Sequence, residues 1–105
     1  MSELLQRLEA AIVARRGASP DSSYVASLFA KGRGKIAQKV GEEATETVIA
    51  ALSGKPADLT AEAADLLFHL MILLADAGLS IDDVLNELQR REGVSGLAEK
   101  AARKE

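Results

Sequence analysis

Apolar residues in this chain recur at intervals of three and four, the spacing that places them on one face of an α-helix. With Ser2 as N-cap, Leu4, Leu5, Leu8, Ala11 and Ile12 make the first such face, and Gly17 ends the segment. Ala18 to Ser23 carries Ser, Pro and Asp and reads as a loop. Tyr24 to Lys31 predicts a short helix, after which Gly32 and Gly34 punctuate the chain. The clearest amphipathic segment runs from Lys35 to about Ser53, with Ile36, Val40, Ala44, Val48 and Ala51 on one side and Lys35, Lys39, Glu42 and Glu46 on the other. Gly54 and Pro56 form the break that follows. The next helix is expected from Asp58 or Thr60 to Ala77, capped by Gly78. Ser80 and Asp83 make a capping box that opens a last helix through about Arg91, and Gly93 closes it. The charged tail from Ser95 to Glu105 is expected to be weakly helical or frayed.

One segment departs from amphipathicity. Leu66 to Ala75 is apolar on every face apart from His69. Such a helix must be buried all round, which four or five short helices in one chain scarcely achieve. The pattern therefore predicts an all-α helical bundle of four to five helices that is completed by dimerisation, most simply as a homodimer.

Composition adds to this picture. At 105 residues the chain fits a single domain, 1–105, and its richness in Ala, Leu, Glu and Lys favours helix over strand. It has no cysteine, which excludes disulfides, thiolate metal sites and cysteine nucleophiles. The start lacks a secretory pattern and no apolar run is long enough to span a bilayer, so a cytoplasmic protein is expected. A formal net charge of −3 argues against nucleic-acid or anionic-membrane partners.

The local arrangement of charge is more informative than its sum. Lys31, Arg33, Lys35 and Lys39 run directly into Glu42, Glu43 and Glu46, and a second acidic motif, Glu62-x-x-Asp65, follows the break. Residues three apart share a helix face, so Glu43 with Glu46, and Glu62 with Asp65, each present two carboxylates side by side. If the two consecutive helices form an antiparallel hairpin, the pairs face each other as an oxygen cage suited to Mg²⁺ or Mn²⁺. Such like charges repel, and a bound cation relieves the repulsion. The competing reading is a solvated acidic face, the commonest role of a helical charge run. Gly41, a costly interior glycine, speaks against it and points to close backbone packing or ligand access. Lys35 and Lys39 can reach phosphate oxygens or can simply be solvated. His69 can orient a carboxylate, touch substrate or be a hydrogen-bonded core histidine, and Tyr24 can stack on a base or pack in the core. No P-loop is present, and the single histidine has no placed serine partner, which leaves metal-assisted attack by water as the simplest chemistry.

The motifs Glu42-Glu43-Ala44-Thr45-Glu46 and Glu62-Ala63-Ala64-Asp65 match the EExxE and ExxD pattern of the all-α NTP pyrophosphatase (MazG-like) superfamily. Longer strings, SYVASLFAKGRGKIAQKVGEEATETVIAAL and ADLLFHLMILLADAGLSIDDVLNELQRR, with SGLAEKA in the tail, resemble the phosphoribosyl-ATP pyrophosphatases. Residues 1–22 match only loosely, and Phe68 stands where many relatives have tyrosine. The resemblance implies Mg²⁺-dependent hydrolysis of phosphoribosyl-ATP to phosphoribosyl-AMP and pyrophosphate, the second step of histidine biosynthesis, by a homodimeric helical bundle. It also implies roles: Glu43, Glu46, Glu62 and Asp65 as metal ligands, Glu42 as an accessory acid that binds metal or orients water, and Lys39, Lys35 and Arg33 on the phosphates. Two rivals stand beside this reading, a house-cleaning (d)NTP pyrophosphatase with the same cage and a non-catalytic helical dimerisation module.

Overall fold

The computed structural model describes residues 3–93, and these form five helices with no strand. They are α1 (Glu3–Ala14), α2 (Tyr24–Lys31), α3 (Arg33–Ser53), α4 (Pro56–Asp76) and α5 (Ile81–Arg91). The all-α expectation holds. The Ser2 cap and the tail beyond Gly93 lie outside the described residues.

Local chemistry explains most helix ends. Ser23 caps α2, its hydroxyl accepting from the Ala26 N–H at 3.2 Å. Ser80 and Asp83 close the expected capping box on α5: the Ser80 hydroxyl accepts from the Asp83 N–H at 3.2 Å, and the Asp83 carboxylate accepts from the Ser80 N–H at 2.9 Å. Two boundaries differ from expectation. Only Gly32 separates α2 from α3, because its φ of 94° lies outside helical space, while Gly34 joins the helix, which starts at Arg33. Pro56 opens α4 instead of preceding it, since the first helical position has no use for an N–H.

Each helix sends at least one side chain into a common core: Ile12 from α1, Leu28 from α2, Ile36 from α3, Met71, Ile72 and Ala75 from α4, and Ile81 from α5. This core surrounds the C-terminal half of α4. The α3–α4 hairpin projects beyond it, by roughly 26 Å from Ile36 to Ser53 at the helical rise per residue. Along that projection the buried residues of α3 are Ile36, Glu43 and Ala50, seven apart, the spacing that keeps one seam against a partner helix. Val48 and Ala51, expected on the buried side, are exposed because they fall off this seam.

The hairpin tip carries uncovered apolar side chains. Val48, Ile49 and Leu52 are 58%, 62% and 83% exposed. Within Leu66 to Ala75, His69, Met71, Ile72 and Ala75 are buried but Leu67 remains 40% exposed. Among the described residues no single helix is long and apolar enough to cross a membrane.

Candidate metal centre

The acidic motifs meet midway along the hairpin. Gly54, in the left-handed conformation at φ 80°, turns the chain so that α3 and α4 lie against each other. Glu43, Glu62 and Asp65 each offer a carboxylate oxygen, and these oxygens lie within 4.8 Å of one another. The grouping is chemically uneven. Glu43 occupies the buried seam position, Glu62 is half-buried and Asp65 is exposed, so the cage is walled on one side and open to solvent on the other.

Glu43 is the central member. It is 7% exposed, and its Oε2 is buried without a hydrogen-bond partner, an arrangement that costs free energy unless something else binds there. Its Oε1 lies 3.6 Å from the Lys39 ammonium, which also reaches Glu42 Oε1 at 3.4 Å. One lysine therefore offsets only part of the local negative charge. The neighbours register the excess. Proton sharing with Glu43 pushes the Glu46 carboxyl up, and the charges of Glu43 and Glu62 add to the rise. Desolvation raises the Glu62 carboxyl, with Glu43 and Asp65 contributing repulsion. Oxygen donors with surplus negative charge and an orphaned buried lone pair fit a hard divalent cation.

A backbone stitch holds this register. The Thr47 hydroxyl, one turn beyond Glu43, shares its proton between the carbonyl of Glu43 at 2.7 Å and that of Glu62 at 3.2 Å across the hairpin.

Comparison with known proteins decides the family. The phosphoribosyl-ATP pyrophosphohydrolase family model matches residues 5–92. This chain belongs to that family. It is 67% identical over 103 residues to the phosphoribosyl-ATP pyrophosphatase of Rhizorhabdus wittichii, covering 98% of this chain and 97% of the relative. It is 68% identical over 99 residues to the enzyme of that name from Erythrobacter litoralis (94% and 95% covered), and 62% over 101 residues to that of Zymomonas mobilis (96% and 94%).

In this pyrophosphohydrolase chain the residues singled out by sequence do not all converge. Glu43, Glu62 and Asp65 form the three-oxygen group, and Glu46 stands against Glu43 and Glu62 at its edge. Glu42 points to the rim. Hydrogen bonds from Gln38, whose Nε2 donates at 2.9 Å, and from Lys39 hold its carboxyl below the usual range, with Lys35 adding a weaker attraction. Hydrogen bonding to Glu42 in turn raises Lys39, which stays a cation at the rim.

Arg33, expected among the phosphate ligands, is not brought to the three-oxygen group. Its Nε donates to Asp76 Oδ2 at 2.8 Å and its Nη2 to the Asp76 carbonyl at 3.0 Å, pinning the start of α3 to the end of α4. Asp76 is roughly 16 Å along α4 from Asp65 at the helical rise per residue. Gly41 departs as well: it is exposed, and a Cβ there would meet nothing within 4 Å, so close packing within the chain does not explain it.

Two residues that sequence left open are brought to the cage. The Tyr24 hydroxyl lies 2.7 Å from His69 Nε2, and His69 Nδ1 lies 2.7 Å from the Asp65 carbonyl oxygen. His69 is thus a buried, hydrogen-bonded histidine, and Tyr24 sits beside the acids without packing in the core. Thr47 was missed altogether, although a hydroxyl one turn from Glu43 on the same face was a readable signal.

Proposed function

We propose that this chain hydrolyses phosphoribosyl-ATP to phosphoribosyl-AMP and pyrophosphate, the second step of histidine biosynthesis. The observation that carries the chemistry is the orphaned, buried Oε2 of Glu43 facing Glu62 and Asp65, in a chain of the phosphoribosyl-ATP pyrophosphohydrolase family. Glu43, Glu46, Glu62 and Asp65 would hold Mg²⁺, which would supply charge neutralisation to the triphosphate and to the pyrophosphate leaving group. Mn²⁺ is the natural substitute.

The chain's own residues do the rest. Lys39, already a cation at the rim, exchanges part of its pairing with Glu42 and Glu43 for phosphate oxygens. Lys35, one turn earlier on the same side as Glu42, adds a second positive charge. Glu42, exposed and held ionised by Gln38 and Lys39, orients the attacking water. Arg33 keeps α3 seated on α4. The 105 residues act as one domain in the cytoplasm, and the apolar side chains at the hairpin tip and at Leu67 are covered by a second copy in a homodimer. Nucleic acid and membrane are not partners.

Pyrophosphate release measured from phosphoribosyl-ATP, ATP and the dNTPs, with and without Mg²⁺, tests the assignment. The expected result is Mg²⁺-dependent turnover of phosphoribosyl-ATP above all others, abolished in Glu43→Gln and Asp65→Asn while helical circular dichroism persists. Preference for dNTPs would assign the cage to a house-cleaning enzyme. Near-normal activity in both variants would remove the acids from the chemistry, and indifference of stability and nucleotide binding to Mg²⁺ would favour a dimerisation module.

A further inference from the structure

Antiparallel pairing gives the acidic cage two different ends. Running back along α3 from Glu43 and onward along α4 from Asp65 leads to the same end, the one nearer the core residues Ile36 and Ile72. Lys39 and His69 stand there, each one turn from its acid. The other end, toward the hairpin tip, opens into a cavity of about 370 Å³ whose charged walls are Glu46, Asp58 and Glu62. A phosphate chain that leaves the cage in that direction meets further carboxylates, whereas at the core end it meets an ammonium.

Tyr24 flanks the core end. Its hydroxyl is joined to His69 Nε2 by a 2.7 Å hydrogen bond, and His69 Nδ1 lies 2.7 Å from the Asp65 carbonyl oxygen. Lys39, Glu43, Asp65 and Glu42 all lie within electrostatic reach of the phenol. The ring is thus fixed at its tip, yet Tyr24 is 52% exposed. His69 does not stack on it, since the two ring planes cross at 79°. The other two aromatic side chains are engaged elsewhere: Phe29 lies under the Arg16 guanidinium, 5.4 Å from its ring centre, and Phe68 packs against the core. A planar base gains most from an aromatic surface that is already held in place, because little side-chain entropy remains to be lost on contact.

We infer that the exposed ring of Tyr24 stacks on the base of the bound nucleotide, with the phosphate chain running from the cage past Lys39 toward it. Tyr24 is then a specificity-determining residue, one that distinguishes a nucleotide from a bare polyphosphate of the same charge. The inference rests on the pyrophosphohydrolase reading for the nature of the substrate. It asks nothing of the Tyr24 or His69 protons, and the phenol takes no part in bond breaking.

The stack can be read directly, because Tyr24 is the only tyrosine and tryptophan is absent, so its ring protons give an isolated NMR signal set. The ligand is α,β-methylene-ATP with Mg²⁺, in which carbon replaces the bridging oxygen of the scissile anhydride; tripolyphosphate with Mg²⁺ is the base-free control. The analogue should move the Tyr24 ring signals upfield and give Overhauser contacts between them and the base protons, and tripolyphosphate should do neither. In steady-state kinetics with phosphoribosyl-ATP, Tyr24→Leu should raise KM by about tenfold to a hundredfold with kcat within about threefold, while Tyr24→Phe, which keeps the ring, stays within about threefold in KM. Inhibition by tripolyphosphate should be unchanged in both variants, which damage to the cage would not allow. Absence of the Overhauser contacts, a parental KM in Tyr24→Leu, or equal weakening of tripolyphosphate would overturn the inference. So would a raised KM in Ile49→Ser but not in Tyr24→Leu, which would place the base in the tip-side cavity that Ile49 lines. A parent that releases no pyrophosphate from phosphoribosyl-ATP overturns the functional reading, and the NMR titration still decides the stack by itself.

Discussion

Glu43→Gln should make the metal-free protein more stable while abolishing its activity. Glu43 is 7% exposed, carries an unpartnered Oε2, and repels both Glu46 and Glu62. An unsatisfied buried charged oxygen costs about 1–3 kcal/mol, of which the neutral amide recovers ~1–2 kcal/mol. Against this stands the loss of the 3.6 Å pair with Lys39, whose side chain is 25% exposed; such a pair contributes about 1 kcal/mol at most. The balance is a gain of about 1 kcal/mol, or about 4–8 °C in Tm for a domain of this size. Thermal unfolding in EDTA, followed by circular dichroism, measures it. In excess Mg²⁺ the order should reverse, because at a hundred times Kd the parent gains about 2.7 kcal/mol that the variant cannot. A variant that melts below the parent in EDTA, or one that gains as much from Mg²⁺ as the parent does, would refute the account of Glu43 as the site's uncompensated charge.

Other perturbations probe separate parts of the molecule. Ser80→Ala removes one half of the α5 capping box and should cost about 1 kcal/mol of stability, read as a Tm fall of about 4–8 °C with kcat unchanged. Leu52→Glu alters a side chain that is 83% exposed in the single chain, so a monomer would tolerate it within about 0.5 kcal/mol. If a second copy covers the hairpin tip, sedimentation should instead show the variant shifted to monomer. In EDTA the raised Glu46 and Glu62 carboxyls bind protons more tightly folded than unfolded, so their contribution to stability is full below the ordinary value of 4.5 and is lost as pH rises through their raised values. The Tm gained on adding Mg²⁺ should accordingly grow over that rise. Glu87, held down to about 2 by hydrogen bonds from Arg90 and Arg91, acts in the opposite sense: its contribution is present above 4.5 and lost as pH falls toward about 2, and Glu87→Gln should flatten that acid limb of the Tm profile.

The sequence by itself determined what is local. Helical period, the Gly54–Pro56 break, the Gly78 stop and the Ser80–Asp83 box are written within a few residues of where they act, and all four are found in place, with Pro56 moved only from the break into the first turn. The spacing of Glu43, Glu62 and Asp65 was legible for the same reason, since a three-residue interval on a helix fixes a shared face and a short break fixes a hairpin. Family-like strings narrowed the chemistry further.

What the tertiary structure decided depends on how α2, α3 and α4 lie against one another. The seam of Ile36, Glu43 and Ala50 buried one acid of the motif and left Glu42 at the rim, a distinction that helical spacing alone cannot make between adjacent residues. Arg33 found Asp76, 43 positions away. Tyr24 met His69 across 45 positions. Such partners are chosen by the packing of whole helices, and a one-dimensional pattern records which face of each helix is apolar but not which side chains of two faces will touch.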